Sequence, residues 1–166
     1  MGLGCVESRG SALACVGHFV VKVKGESFGE RLAVISRAVS EALTLWQPAQ
    51  VAVEEVFFAK NAQSALKLGQ ARGAALTAVA LAGISISEYP PTMIKQSVSG
   101  SGRADKDQVH RMITMLLGAS LKALPDLDRH DASDALAVAI CHLQQSRLST
   151  RISQSPTRNK GLGAGL

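Results

Sequence analysis

The sequence has no run of about 18 apolar residues, the length that a membrane-spanning helix needs. Its longest apolar stretch, Ala74 to Ala82, is short and interrupted by Thr77. Behind Met1 stand Gly2, Leu3 and Gly4 rather than a charged and then apolar leader, so no secretory signal is expected. Cysteine is scarce. Cys5, Cys15 and Cys141 are odd in number and form no CxxC pair, which argues against a disulfide framework and against a metal or redox site. Free thiols and a cytoplasmic location are the expectation. No internal repeat is visible. Acid is absent from residues 147–166, which carry Arg147, Arg151, Arg158 and Lys160. Removing those four bases from the net charge of +5 leaves 5 − 4 = +1 for the body. The basicity is therefore largely a property of the tail. It permits nucleic-acid binding without arguing strongly for it.

What is present is apolar content of 46% in 166 residues, enough for one domain with a real core. Gly2–Ser8 and Ala12–Val23 read as an antiparallel hairpin around the turn Arg9-Gly10-Ser11. Ser27–Trp46 is the clearest helix. Ser27 and Glu30 form a capping box, and Phe28, Leu32, Ile35, Val39, Leu43 and Trp46 make one apolar stripe. Gln47-Pro48 ends it. A buried strand, Gln50–Val56, leads into a small-residue helix, Gln63–Ala82, whose Gly69 and Gly73 suit close packing at helix or dimer contacts. Gly83 stops that helix. Ile84–Tyr89 alternates as a strand and Thr92–Val98 suits a short helix. Ser99–Arg103 is a flexible loop, Ala104–Leu117 a helix, Pro125–Asp128 a loop, and His130–Arg147 the last helix. Leaving the short helix Thr92–Val98 aside, the order β-β-α-β-α-β-α-α implies a mixed sheet with helices on its faces.

Three carboxylates stand out against this frame. Glu54 ends a strand that precedes a helix, which is where open α/β sheets place their ligands. Strand alternation sends Glu55 to the opposite face. Asp131 and Asp134 lie three apart at the start of the last helix, on one helical face. Acids there also suit capping and the helix dipole, and that reading stays open. The sharper reading is phosphodiester hydrolysis. Two hard cations held by oxygen ligands from separate elements can position the attacking water and the leaving oxygen.

Read together, VEEVFFAKNAQSALKLGQARG (residues 53–73), IKQSVSGSGRADKDQV (94–109) and DASDALAVAICH (131–142) closely resemble the bacterial RuvC family of Holliday-junction endonucleases. The resemblance runs from about Gly2 to His142. It implies an RNase H-like fold with helices on both faces of a mixed sheet over residues 1–146, and a basic, disordered tail over 147–166. It also implies a homodimer, dependence on Mg²⁺ or Mn²⁺, symmetric nicking of four-way DNA junctions in recombination and repair, and a branch-migration motor as partner. By the same resemblance Glu54, Asp131 and Asp134 are the metal ligands, and Lys95 and Lys106 lie near the scissile phosphate. Phe57 stacks on unpaired bases at the junction centre, where stacking is worth about 1–3 kcal/mol per base. Without the resemblance Phe57 reads equally as a core residue, and the two lysines as solvated surface. Arg72 and Arg103, with Lys60 and Lys67, are weaker candidates for contacts to the DNA backbone. His130 is expected beside the site and His142 in packing or at the surface.

The family pattern begins with a strand and a D-P-G-x-x-x-T-G-type motif, and Met1-Gly2-Leu3-Gly4 aligns with the end of that motif. The resemblance therefore places a further metal acid, and the central first strand, upstream of Met1. The expectation is a natural chain that starts earlier. The sequence as it stands is expected to fold poorly and to cleave weakly, one carboxylate short. The alternative function is a non-catalytic protein that binds junction DNA.

Overall fold

The computed structural model describes residues 1–55, 61–122 and 131–153. The chain opens with β1 (Gly2–Arg9) and β2 (Ala12–Val20), followed by α1 (Phe28–Trp46), β3 (Gln50–Glu54), α2 (Ala62–Leu81) and β4 (Ser85–Tyr89). It continues with α3 (Pro91–Ser99), α4 (Lys106–Lys122) and α5 (Asp131–Ser153). The expected capping box is formed. The Ser27 side chain accepts from the Glu30 amide and the Glu30 side chain accepts from the Ser27 amide. Gln47 ends α1 in the left-handed conformation. The short helix starts with Pro91 at its first position, where a missing N–H costs nothing.

Two expected helix ends are exceeded. At Leu117 the helix does not stop: Gly118 takes φ 44°, ψ −121°, a conformation open to glycine, and the helix resumes after that kink. α5 continues beyond Arg147 to Ser153, so the start of the expected tail is helical. Arg147 reaches back to the hairpin turn, donating to the Gly10 carbonyl at 2.8 Å and to the Ser8 hydroxyl.

Both strand orientations are present, in two pairs. β1 and β2 are antiparallel, with Gly2 opposite Val20 and Arg9 opposite Ala12. β3 and β4 are parallel, with Gln50 beside Ser85 and Glu54 beside Tyr89. Among the described residues no ladder bond joins one pair to the other, so the expected mixed sheet is divided. Helices lie on both faces. Leu3, Val51, Ile84 and Ile86 pack with Val39 of α1 and Ala78 and Val79 of α2. Val6, Leu13, Cys15, Ala52 and Tyr89 pack on the other side against α3, α4 and α5. Val51 and Ala52 are consecutive and point to opposite cores, the period of two that a strand imposes.

α5 lies across all four strands and unites the two pairs. Leu136, Ile140 and Cys141 are fully buried, together with Ile113 of α4. Each such aliphatic side chain contributes about 1.5–3 kcal/mol on burial. β1 admits α5 closely because it carries glycine. A Cβ on Gly2 would stand 1.8 Å from the Asp131 carbonyl oxygen, and one on Gly4 would stand 2.9 Å from Leu136 Cδ2. Gly69 and Gly73 do not behave as expected within the chain, since a Cβ on either meets nothing within 4 Å. Both are exposed on α2, and among the described residues no contact requires them to be glycine.

His142 ties α5 to both β3 and β4. It is buried, with Nδ1 2.9 Å from the Tyr89 hydroxyl and Nε2 2.9 Å from Gln50 Oε1. A neutral ring satisfies both bonds when Tyr89 O–H donates to Nδ1 and Nε2–H donates to Gln50. Burial pushes the pKa of His142 down, and that of His18 likewise. The unfolded chain takes up protons on these rings at about pH 6.5, before the folded chain does. Their stabilising effect is therefore complete above that pH and declines as pH falls below it. The melting temperature is expected to be lower at pH 5.5 than at pH 7.5, and the difference should shrink in His142→Gln. An unchanged melting temperature over that interval would contradict the assignment of neutral, buried rings.

Candidate active site

Glu54 is the last residue of β3, carried to the end of the parallel pair by its register with Tyr89. The next amide, of Glu55, donates to the Tyr89 carbonyl at 2.8 Å. Asp131 and Asp134 occupy the first turn of α5. Lys106 opens α4 and Lys95 lies on α3. These elements meet because the Leu136 side of α5 is buried against β1 while α4 packs along α5.

Glu54 is exposed at the strand end, yet partial desolvation raises the pKa of its carboxyl, and the negative charge of Asp134 raises it further. Lys106 and Lys95 act on the same carboxyl in the opposite direction. Lys106 Nζ is 3.6 Å from Asp134 Oδ2, and both side chains are largely exposed. An exposed pair of this kind adds little stability, so its interest lies in placement. Asp134, Lys106 and Lys95, from α5, α4 and α3, therefore lie close enough to the end of β3 to act on the Glu54 carboxyl, and Lys106 pairs with Asp134.

Asp131 makes a different contact. Its Oδ2 is 3.1 Å from the Met1 ammonium group. Among the described residues no three His, Cys, Asp or Glu side chains stand together as a metal site. Glu54 and Asp134 still fit a hard divalent cation by donor chemistry, since carboxylate oxygens are what such ions accept. Their mutual repulsion, partly offset by the lysines, is the charge that such a cation would neutralise.

The remaining expected residues are dispersed. Arg103 is exposed in the connection between α3 and α4. Lys67 is exposed on α2. Arg72 is turned inward. It donates to the Glu54 carbonyl at 2.7 Å and pairs with Glu88 Oε2 at 2.5 Å. Phe57, Phe58, Lys60 and His130 lie outside the described residues. His142 is buried in the network with Tyr89 and Gln50.

Sequence reasoning passed over His110 and Ser133. His110 Nδ1 is 3.3 Å from the Ser133 hydroxyl, joining α4 to α5 one turn from the Lys106–Asp134 pair. Lys106 and His110 are four apart, and Ser133 precedes Asp134, so a shared face could have been read. Their partnership across two helices could not.

Comparison with known proteins identifies the relatives of this chain. The family model described as crossover junction endodeoxyribonuclease RuvC matches residues 1–142. A crossover junction endodeoxyribonuclease RuvC from Solidesulfovibrio magneticus is 49% identical over 149 residues, covering 89% of this chain and 85% of the relative. One from Geobacter sp. is 46% identical over 149 residues, covering 89% and 88%. The solved structure of Thermus thermophilus RuvC in complex with a Holliday junction substrate superposes with a TM-score of 0.79 at 37% identity. That match covers 90% of this chain and 89% of the other.

Proposed function

This chain belongs to the RuvC family of crossover junction endodeoxyribonucleases, and on that premise we propose that it resolves four-way DNA junctions by metal-dependent phosphodiester hydrolysis at the Glu54–Asp134 site. The observation that carries this reading is the placement of Asp134, Lys106 and Lys95 close enough to Glu54 to act on its carboxyl, with Lys106 Nζ 3.6 Å from Asp134 Oδ2. Two acids that repel each other contribute nothing to stability; they suit a site that takes up positive charge. Glu54, Asp134 and Asp131 would hold Mg²⁺, with Mn²⁺ as substitute. The bound cation supplies Lewis-acid polarisation and a more acidic water. Lys106 and Lys95 neutralise the phosphate and hold it against the carboxylates. Lys106 is exposed beside Asp134, so it can exchange that partner for a phosphate oxygen without leaving a buried charge.

Phe57, Lys95, Lys106 and Arg103 are the proposed DNA contacts. A four-way junction has paired strands to cut, which suits a two-fold symmetric homodimer. The open surface of α2 around Gly69 and Gly73 is its proposed contact. Action beside a branch-migration motor rests on family membership alone.

Nicking of a synthetic four-way junction should require Mg²⁺ or Mn²⁺ and stop with EDTA, while a linear duplex of the same sequence stays intact. Equal cutting of both substrates would refute the reading. Lys106→Ala should weaken junction binding across all junction sequences and reduce the slope of log K against log salt by about 1. An unchanged slope would remove Lys106 from the phosphate contacts.

A further inference from the structure

We propose that Arg72 is a positioning residue that fixes the Glu54 end of β3, and not a contact to DNA. The proposal rests on the reading of Glu54 as a site residue. Arg72 projects from α2, and its two terminal nitrogens take separate partners. Nη1 donates to the Glu54 carbonyl at 2.7 Å, and Nη2 to Glu88 Oε2 at 2.5 Å. Glu88 stands beside Val53 in the β3–β4 register. One planar fork therefore ties α2 to the last turn-off of β3 and to β4 together.

The side chain is only 22% exposed, and its charge is matched by Glu88. A phosphate contact needs a guanidinium free to present its donors. Here both terminal nitrogens are already engaged. What the fork holds is the backbone of Glu54 at the point where the strand ends. Strand ends open locally more easily than strand centres. A carboxylate that must meet Asp134, Lys106 and Lys95 has to be kept within about 0.5 Å of its working place. The Glu55 amide donates to the Tyr89 carbonyl just beyond it. Arg72 and that bond hold the two edges of the single Glu54–Glu55 peptide group, one through its carbonyl oxygen and the other through its N–H.

The role separates from DNA binding because Glu88 is an acid. If this region met phosphates, removing Glu88 would tighten binding. If the fork positions Glu54, removing Glu88 acts in the same direction as removing Arg72. The test uses Arg72→Ala, Arg72→Lys and Glu88→Gln in the full chain. It measures hydrogen exchange at the Glu55 amide, junction affinity over a range of salt without a catalytic metal, and steady-state nicking.

In Arg72→Ala the Glu55 amide should exchange about tenfold faster or more, the scale of one lost charge-assisted hydrogen bond. Arg72→Lys and Glu88→Gln should change it in the same direction by less, which keeps the test open if Arg72→Ala folds badly. Junction affinity should stay within about twofold with an unchanged salt slope, in contrast to a loss of about 1 for a phosphate contact. Nicking should lose kcat by about tenfold with KM unchanged, a split that a loss of global stability alone would not produce. A salt slope reduced by about 1 in Arg72→Ala, or tighter binding in Glu88→Gln, overturns the proposal. So does an unchanged Glu55 exchange rate, or an unchanged kcat. If the parent chain does not nick junctions, the functional reading fails by itself. Exchange and salt slope still decide for or against Arg72.

Discussion

Glu54→Gln is expected to abolish nicking of a four-way junction in Mg²⁺ while leaving junction binding intact. The substitution keeps the shape of the side chain and removes its charge. Loss of a partner outside the ligand shell of a metal site costs about 10–100-fold, so loss of a ligand should exceed about a hundredfold. Removing Glu54 also relieves its repulsion with Asp134. The variant should therefore fold at least as well as the parent, and a fall in turnover cannot be ascribed to unfolding. The measurement is single-turnover nicking at saturating protein, with junction affinity measured in parallel. Retained cleavage would remove Glu54 from the chemistry. Loss of binding together with cleavage would make it a structural residue.

Leu136→Ala should have the largest effect on stability. Leu136 is fully buried in α5, two residues after Asp134, and its side chain covers the surface that Gly4 leaves open on β1. Truncation leaves a cavity that glycine cannot fill, at a cost of about 2–5 kcal/mol. Domains hold only about 5–15 kcal/mol in total. At this chain length each kcal/mol lowers the melting temperature by about 2–4 °C. The two strand pairs share no ladder bond among the described residues and meet through α5, so the loss should be felt by the whole fold. A thermal melt of the variant checks this; a midpoint within a degree of the parent's would contradict the role given to α5.

What could be read in the sequence was local or came by resemblance. α1 was legible because its signals lie within four residues of one another: Ser27 with Glu30 at the start, then one apolar stripe. Glu54 and Asp134 were legible as candidate site residues through the motifs around them, and the structure sets Asp134, Lys95 and Lys106 near enough to act on the Glu54 carboxyl. Gly118 was not legible as a kink, since a glycine after an apolar helix reads as a stop. The roles of small residues were legible only in part. Among the described residues a Cβ on Gly69 or Gly73 meets nothing within 4 Å, which leaves a dimer contact as their proposed role, whereas Gly2 and Gly4 accept the close approach of a helix more than 120 residues away. The Tyr89–His142–Gln50 network and the fork of Arg72 depend on three elements each. No short window of sequence contains those partners.

The central claim is that the site at the end of β3 cuts four-way junctions. It is tested most directly by mapping the nicks that the unaltered chain makes on a four-way junction labelled on each strand in turn, in Mg²⁺. The expected result is paired nicks at symmetric positions on two opposing strands, absent in EDTA and absent in Glu54→Gln. Tight junction binding with no nick in either Mg²⁺ or Mn²⁺ would contradict it.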